Sequence, residues 1–338
     1  MSARIASLIS TDLPFVLYRL PGEEEVLCLY QKDKATFTTT DFLETGFVFA
    51  PFVQKTEKIY LPNTHKFSFF PETNLSSATA DGALPLIQRK AFMLQVEAAV
   101  KAIERQSMEK VVLSNAFNLP YSGDALAVFD RLLEHYPRAF VYYWSHPETG
   151  SWLGATPERF LQLEKQQLNT MALAGTLAAT QTEWSSKEIH EQQLVVDAIV
   201  EGLSRHLSSD QIRVKERQTI EAGRLRHLCT HISAEVKEVS MATLVEELHP
   251  TPAVGGLPKA AAVKYILKEE GYDRSYYTGY LGPFAAGQKA DLFVNLRCAK
   301  FLPDSVQLYT GAGITAGSVP AREWEEICRK ASTFLSIL

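Results

Sequence analysis

The sequence predicts an α+β protein built mainly from antiparallel β-sheet, and two observations lead to this fold class. Short β-type runs come in groups, with helices inserted between only some of them, rather than in a regular strand–helix alternation. The chain of 338 residues is 46% hydrophobic and 22% charged, which is enough apolar material to bury a large core. No internal repeat, low-complexity tract or linker-like segment divides the sequence. Residues 1–338 are therefore predicted to form a single domain.

The first part of the chain predicts sheet and the next part predicts helix. Residues 1–80 carry β-type runs such as PFVLYRL, EVLCLYQ, ATFTTTDF and GFVFAPF, which prolines and glycines interrupt. This pattern is typical of a meandering antiparallel sheet. Over residues 87–105 apolar side chains recur at helical spacing, which predicts an amphipathic helix.

The remaining elements follow in order. Further helices are predicted over 124–136, 186–207, the segment MATLVEEL, 258–270 and 320–337. The last of these begins with Pro320, which suits the first turn of a helix. Strands are predicted at KVVLSNAFNL, AFVYYWSH, SWLGATPERFLQLE, QLNTMALAGT, QIRVKERQTIEAG, YYTGYLGPF, ADLFVNLRCAKFL and SVQLYTGAGI. The segment HLCTHISAEV is compatible with either helix or strand.

Composition and charge exclude several classes of function. The net charge is −5, and no block of lysine and arginine provides a footprint for nucleic acid. The four cysteines lack metal-type spacing, so free thiols in a reducing compartment are expected. The N-terminus lacks the pattern of a signal peptide, and no window of 18 apolar residues occurs. We therefore expect a cytoplasmic protein without membrane association.

A glycine-rich segment, GAGITAGS, lies between a predicted strand and the last helix. Its glycines, Gly311, Gly313 and Gly317, do not have the GxGxxG spacing of a dinucleotide site, and only one helix follows them. Two interpretations stay open. The segment is either a tight turn or a place where backbone amides bind a carboxylate.

Two helices carry pairs of carboxylates at i, i+3 spacing. Glu188 and Glu191 lie on the helix at 186–207, and Glu323 and Glu326 lie on the last helix, four residues before Lys330. Each helix face could simply be solvated and stabilised by ion pairs. Alternatively, the two helices converge on one hard cation, since Mg²⁺ takes one or two carboxylates together with water and ligand oxygens.

Four further side chains are candidates for chemistry. Glu158 follows a proline between hydrophobic strands, where it is either a turn carboxylate or a general acid with a raised pKa. Lys110 enters a buried strand, so its amine either reaches solvent or lies where its charge matters. Arg297 lies within a strand-like run and is expected to pair with a carboxylate. His249 is a polar group in the rigid segment LHPTPAVGG.

Taken together, the motifs resemble one enzyme family. In order they are KVVLSN, GATPERF, ALAGT, KEIHEQQLVVD, LHPTPAVGG, YYTGYLGPF, LFVNLRCAKF, LYTGAGITAGS and EWEEICRKA. This series resembles the chorismate-utilising enzymes, which include isochorismate synthases, salicylate synthases and the synthase subunits for anthranilate and aminodeoxychorismate. The resemblance covers residues 90–338, the expected chorismate-binding catalytic core. Residues 1–80 resemble only loosely the variable N-terminal part of the family.

The resemblance implies two stacked, mainly antiparallel sheets flanked by helices, and an Mg²⁺-dependent reaction on chorismate. It implies that Glu191 and Glu326 bind the metal, with Glu188 and Glu323 as supporting partners one turn earlier. Arg297 and Lys330 match residues that hold substrate carboxylates. The matched segments that line the substrate are Gly175, Thr176, His249, Gly311, Ala312 and Gly313.

The resemblance also predicts which nucleophile is used. Members that deliver ammonia resemble one another in having glutamine where this chain has Lys110, whereas members that add water have lysine. The aminodeoxychorismate branch has a nucleophilic lysine where this chain has Ala174. The resemblance therefore implies that Lys110 activates water and that Glu158 protonates the leaving C4 hydroxyl, giving isochorismate for menaquinone or siderophore biosynthesis.

Other outcomes remain open at this stage. A salicylate synthase would use the same two residues and then eliminate pyruvate, and an inactive chorismate-binding protein would be a different class altogether. No glutaminase subunit is expected, and a monomer is expected. Two positions depart from the family pattern, because Asn115 replaces a common arginine and Pro283 a frequent aromatic residue.

Overall fold

A computed structural model describes residues 2–53, 57–71, 87–106, 108–178, 183–222 and 225–338. The described residues contain α-helices of about two to five turns and a short 3₁₀ turn at Ser209–Gln211. The helices are α1 (Ser2–Ser10), α2 (Ile87–Glu104), α3 (Ala125–His135), α4 (Ser186–Ser204), α5 (Met241–Leu248), α6 (Lys259–Glu269) and α7 (Pro320–Leu335).

All predicted helices are confirmed, and α7 begins at Pro320 as expected.

The strands run from β1 to β19. They are β1 (Phe15–Arg19), β2 (Val26–Tyr30), β3 (Phe37–Thr39), β4 (Thr45–Ala50), β5 (Lys58–Pro62), β6 (Lys66–Phe69), β7 (Lys110–Pro120), β8 (Phe140–His146), β9 (Gly150–Thr156), β10 (Arg159–Glu164), β11 (Gln167–Ala178), β12 (Ile212–Val214), β13 (Gln218–Ala222), β14 (Leu225–Glu235), β15 (Gly256–Leu257), β16 (Tyr280–Ala285), β17 (Lys289–Val294), β18 (Cys298–Leu302) and β19 (Ser305–Ile314).

These strands form two large antiparallel sheets. The first has the order β15-β7-β19-β18-β9-β8-β1-β2-β6, and the second has the order β12-β14-β11-β10-β17-β16-β4-β5-β3, with β13 added beside β14. Each strand pair in both sheets is antiparallel. The predicted α+β fold with two mainly antiparallel sheets is confirmed.

Three apolar clusters show how the layers stack. One cluster joins the first sheet to α2, α3, α6 and α7, and a second joins the other sheet to α4 and α5. A third, rich in aromatic rings such as Trp144, Trp152 and Phe293, lies between the two sheets. Each sheet therefore buries both faces, because side chains on a strand alternate between the helix layer and the partner sheet.

The N-terminal strands were predicted to form a meandering antiparallel sheet, but they are divided between the two sheets. Strands β1, β2 and β6 extend the first sheet, whereas β3, β4 and β5 extend the second. Their runs are too short to form a sheet alone, but each completes an existing hydrophobic surface. Helix α1 was not predicted, since a single short amphipathic turn pattern is hard to separate from a β-type run. The boundary expected near residue 80 lies outside the described residues.

The structure also decides two local predictions, the ambiguous segment HLCTHISAEV and the position of Arg297. The ambiguous segment HLCTHISAEV belongs to β14, the strand that pairs with β11, β12 and β13. Arg297 was predicted inside a strand, and this was wrong. It lies in the connection between β17 and β18 with a φ of 48°, so the run ADLFVNLRCAKFL is split into two strands at this residue.

In the part of the chain that is described, every helix is too short or too polar to span a bilayer.

Candidate active site

A narrow inner cleft of about 70 Å³ lies where β7, β11 and β19 meet α4 and α7. It gathers nine of the predicted site residues, although they come from distant parts of the chain. These are Glu158, Gly175, Thr176, Glu191, Arg297, Gly311, Gly313, Glu326 and Lys330. The two-sheet architecture therefore brings together residues that the sequence separates by up to 172 positions.

Lys110 lies directly behind one wall of the inner cleft. It opens β7, its side chain is 0% exposed, and its Nζ is 3.1 Å from Oε1 of Glu191. The geometry of this ion pair is outside that of a hydrogen bond, and within the described residues Nζ has no hydrogen-bond acceptor. A buried amine almost always has such a partner, so the Lys110 amine is positioned to bind a ligand or a water molecule.

The register of β7 places Asn115 and Lys110 on opposite faces of the strand. Side chains on a strand alternate between its two faces. Val111 and Leu113 belong to the cluster beneath the helices, whereas Val112 lines the inner cleft. Asn115 shares the helix-side face with Val111, so it points away from the face that carries Lys110.

Glu158 is held in the short connection between β9 and β10, immediately after Pro157. Its side chain is buried, and its backbone carbonyl accepts a hydrogen bond from Val294. Burial raises the pKa of Glu158 to about 8, although the nearby charges of Lys110, Lys330 and Arg297 act in the opposite direction. The carboxyl is thus mostly protonated at neutral pH, as a general acid requires.

Two cleft carboxylates, Glu191 and Glu326, and the neighbouring buried Glu323 each have their own lysine. Glu191 faces Lys110, Glu323 contacts Lys187 at 2.6 Å, and Glu326 contacts Lys330 at 2.7 Å. Each of these carboxylates therefore has one lysine amine close by. Burial opposes the ionisation of Glu326, but Lys330 and Lys187 outweigh it and hold the pKa of Glu326 below its usual range.

Glu323 differs from Glu326 in its electrostatics. Burial is the largest influence and raises the pKa of Glu323; Lys187 acts against it, and the neighbouring Glu326 adds to it. Lys330 has a second contact, since its Nζ also donates to the carbonyl of Gly311 at 2.8 Å. Lys330 therefore links α7 to β19 along this side of the inner cleft.

Gly313 is required because Glu191 occupies the space beside it. A Cβ at this position would be 2.0 Å from Oε1 of Glu191 and 3.2 Å from Cε of Lys110. We expect Gly313→Ala to push the Glu191 carboxylate aside and to lower kcat/KM at least about tenfold while the protein stays folded. Steady-state kinetics and circular dichroism measure both effects.

Gly317 provides the matched control for this prediction. It lies in the same glycine-rich segment, and a Cβ there meets no atom within 4 Å. Gly317→Ala should therefore retain the activity of the parent protein. Equal activity of the two variants would show that the position of the Glu191 carboxylate is unimportant.

Arg297 is oriented by a histidine that sequence analysis missed. His227 on β14 has its Nδ1 2.8 Å from the carbonyl of Gly175, and its Nε2 is 3.3 Å from Nη2 of Arg297. Because only a protonated Nδ1 can donate to a carbonyl, Nε2 is left to accept from the guanidinium. Burial lowers the pKa of His227 to about 3, so the ring is neutral.

Arg274, a second residue that the sequence did not reveal, supports three walls of the inner cleft. It donates to the carbonyls of Val112 and Val254, to Oγ1 of Thr278 and to both carboxylate oxygens of Glu270. Val112, Val254 and Thr278 all line the inner cleft. Since every guanidinium N–H has an acceptor, this buried network is fully satisfied and fixes their relative positions.

Besides Lys110 and Glu323, three predicted site residues do not line the inner cleft. His249 is buried elsewhere, with its Nε2 2.9 Å from the carbonyl of Phe52, and burial lowers its pKa to about 4. Ala312 points into the helix-side cluster, because Gly311 and Gly313 occupy the alternate positions that face the cleft. The carboxylate of Glu188 accepts a hydrogen bond from the backbone of Ser185 in a capping box at the start of α4. Glu188 thus caps α4, and its supporting role at a metal site stays a prediction.

The donor set suits magnesium in its chemistry. Glu191 and Glu326 both line the inner cleft and supply hard carboxylate oxygens, and Mg²⁺ needs only one or two of these in addition to water and substrate oxygens. Within the described residues no group of three or more metal-ligating side chains is already assembled. A metal ion would thus bind by replacing lysine contacts of these carboxylates.

Comparison with known proteins places this architecture in a family. The family model for chorismate binding enzymes matches residues 25–338. The isochorismate synthase EntC of Escherichia coli is 28% identical over 340 residues, covering 94% of this chain and 86% of that protein. The salicylate biosynthesis isochorismate synthase of Pseudomonas aeruginosa is 32% identical over 276 residues, covering 78% of this chain and 57% of that protein.

A solved structure gives the same result for the fold. MenF, the menaquinone-specific isochorismate synthase of Escherichia coli, superposes with a TM-score of 0.82 at 24% identity, covering 96% of this chain and 88% of that one. Fold and cleft define a chorismate-utilising type of enzyme. The chain belongs to the chorismate binding enzyme family.

Proposed function

We propose that this enzyme is an isochorismate synthase, which adds water at C2 of chorismate with loss of the C4 hydroxyl. One observation carries this proposal: a buried carboxyl with a pKa of about 8 lines the inner cleft, and behind its wall lies a buried lysine amine that has no hydrogen-bond acceptor among the described residues. A base and an acid on one substrate are the minimum that this exchange of hydroxyl groups requires.

In the forward reaction Lys110 acts as the base and Glu158 as the acid. The amine of Lys110 takes a proton from water as the oxygen attacks C2. The protonated carboxyl of Glu158 gives its proton to the departing C4 hydroxyl, and the ring double bonds shift. The reverse reaction exchanges these roles, so the same pair operates in both directions.

The substrate carboxylates require cationic partners, and the cleft supplies two. Arg297 presents a guanidinium that His227 orients, and Lys330 presents an ammonium at the carbonyl of Gly311. A planar guanidinium can bind a carboxylate through two parallel hydrogen bonds. The amides of Gly311 and Gly313 allow close approach of the ligand, since neither residue has a side chain.

Magnesium is proposed as the cofactor, with Glu191 and Glu326 as its ligands. When bound, the ion would stabilise the negative charge that develops on the ring carboxylate. Glu323 supports Glu326 from one turn earlier on α7, where Lys187 holds its carboxylate at 2.6 Å.

The sequence positions that exclude amine chemistry support water as the nucleophile. Lys110 stands where ammonia-using relatives resemble one another in having glutamine, and Ala174 stands where the aminodeoxychorismate branch has its lysine. Relatives named for menaquinone and for salicylate both match this chain, so either pathway is compatible with the proposal. We propose that the enzyme acts in the cytoplasm on free chorismate, as a monomer without a glutaminase subunit.

Product analysis tests the proposed reaction directly. The protein is incubated with chorismate and Mg²⁺, and the products are separated by liquid chromatography. Isochorismate without pyruvate is the expected result. Pyruvate released in equal amount with salicylate would instead assign the salicylate synthase reaction, and unchanged chorismate would overturn both enzymatic assignments.

Glu326→Ala tests the metal site. We expect the Mg²⁺ concentration for half-maximal activity to rise at least about tenfold, because one of two carboxylate ligands is lost. Glu325→Ala is the matched control, since its side chain is 63% exposed on the same helix. Calorimetric titration with Mg²⁺ gives a second measurement that does not depend on turnover. Identical titrations for the two variants would remove Glu326 as a ligand.

A further inference from the structure

A second cavity opens beside the inner cleft and is far larger. This outer cavity has a volume of about 690 Å³ and lies between the end of α3, strand β9 and strand β13. Pro157 and Arg297 line both spaces. The two are therefore neighbours that share one wall, and Arg297 stands at their junction.

The outer cavity is positively charged in a protein of negative net charge. Among its described lining residues are three arginines, Arg138, Arg226 and Arg297, against one carboxylate, Glu221. Arg138 is exposed at the rim, Arg226 is half-buried in β14, and Arg297 is the innermost. The cations thus form a series that leads inward, while the chain as a whole carries −5.

Apolar side chains between these arginines strengthen their field. Leu132, Ala155 and Phe334 line the same cavity. Walls of low polarity focus the field of nearby charges and raise the local concentration of an oppositely charged small molecule.

We propose that the outer cavity is the route by which the substrate reaches the inner cleft, and that Arg138 and Arg226 draw the dianion toward Arg297. This inference rests on the proposed function for the identity of the dianion, chorismate. Arg297 would then receive the substrate from the outer cavity before Lys330 binds its other carboxylate. Arg138 and Arg226 are steering residues that never touch the reacting atoms.

Chemical labelling tests the field without any turnover. Thr219 is exposed on β13 and lines the outer cavity. We expect Thr219→Cys to react faster with an anionic methanethiosulfonate reagent than with a cationic one, and Arg138→Gln in the same background to reduce this preference several-fold. Ser209→Cys, exposed and outside the cavity, is the matched control. Labelling of the parent protein corrects for the half-buried Cys328. Equal rate ratios at the two cysteines would overturn the inference.

Kinetics test the same residues in catalysis. Arg138→Gln should lower kcat/KM for chorismate about three- to tenfold at low salt, mainly through KM, and the loss should shrink near 0.5 M salt. Arg213→Gln makes the same change of charge at an exposed site on β12 and should have little effect. A salt-independent loss, or equal losses in both variants, would contradict steering.

Blocking the cavity distinguishes the route from the reaction. A bulky neutral adduct on Thr219→Cys should lower kcat/KM strongly, whereas the same adduct on Ser209→Cys should not. Unchanged kcat/KM with the adduct at residue 219 would overturn the route while leaving the proposed function intact. If the unmodified protein does not convert chorismate, the proposed function fails, and the labelling ratios still decide whether the outer cavity attracts anions.

Discussion

Lys110→Gln is expected to lower chorismate turnover by at least about a hundredfold, because an amide cannot take a proton from water. The side chain is fully buried, and its amine is held 3.1 Å from Glu191 behind the wall of the inner cleft. Glutamine nearly matches lysine in length, so the loss should concern chemistry more than packing. Isochorismate formation under saturating Mg²⁺ measures it.

The same substitution also removes the charge that faces a buried carboxylate. Leaving Glu191 without its cation should lower the free energy of unfolding by about 3 kcal/mol, which denaturant titration measures. Circular dichroism must therefore show that the variant is folded under the assay conditions. Lys110→Gln combined with Glu191→Gln removes both charges and should recover most of this stability without recovering turnover.

Lys187→Gln tests whether Lys110 matters as a base or only as the positive charge beside a carboxylate. Lys187 also pairs with a buried carboxylate, Glu323, but it has no place in the proposed proton transfers. This variant should keep turnover within about tenfold of the parent at saturating Mg²⁺. If both lysine variants lost turnover equally, charge balance would explain the effect and Lys110 would not be the base.

The sequence allowed prediction of the fold class and of those site residues that belong to contiguous motifs. Helix α7 was predictable because its carboxylates, Lys330 and first-turn proline all lie within one local pattern. Glu158 was predictable because a proline between two hydrophobic runs marks a break between strands. The structure brings these residues to one cleft, as the order of the motifs implied.

Contacts between distant segments were not predictable in the same way. His227 meets Gly175 across 52 residues, and Arg274 meets Val112 across 162 residues. A single histidine or arginine in a strand or turn gives no signal of such partners, because its role depends on which strands become neighbours. Arg297 was misplaced for a related reason, since nothing local in NLRCAKF indicates its left-handed backbone.

The sequence around Glu188 contained a helix-capping signal, but the residue was interpreted as part of a metal site. Ser185 and Glu188 have the S-x-x-E spacing of a capping box, and the structure places both in that motif. The i, i+3 spacing with Glu191 suggested a metal site for the same carboxylate. A side chain at the first turn of a helix satisfies backbone N–H groups there, and this local need decided its position.

Glu158→Gln is expected to abolish the forward reaction and, at neutral pH, to stabilise the folded protein. Glutamine cannot give a proton to the leaving hydroxyl, so turnover should fall by about a hundredfold or more. In the parent protein the acid is active when protonated, so forward kcat should decline as pH rises through about 8. Steady-state rates between pH 6 and 9.5 measure this decline.

Glu158→Gln should stabilise the folded protein even though it removes turnover, because burial raises the pKa of Glu158 from 4.5 to about 8. The folded state then binds the proton more tightly than the unfolded state, so this carboxyl costs nothing below pH 4.5 and destabilises the fold increasingly as pH rises to 8. The gain from Glu158→Gln should grow by about 1.4 kcal/mol for each pH unit across that window. Denaturant unfolding at pH 4.5, 6 and 7.5 measures it, with the exposed Glu148→Gln as a control that should show no such slope. A variant that is inactive but gains no stability with pH would mean that Glu158 is ionised in the folded protein, and the proton for the leaving hydroxyl would have to come from another group.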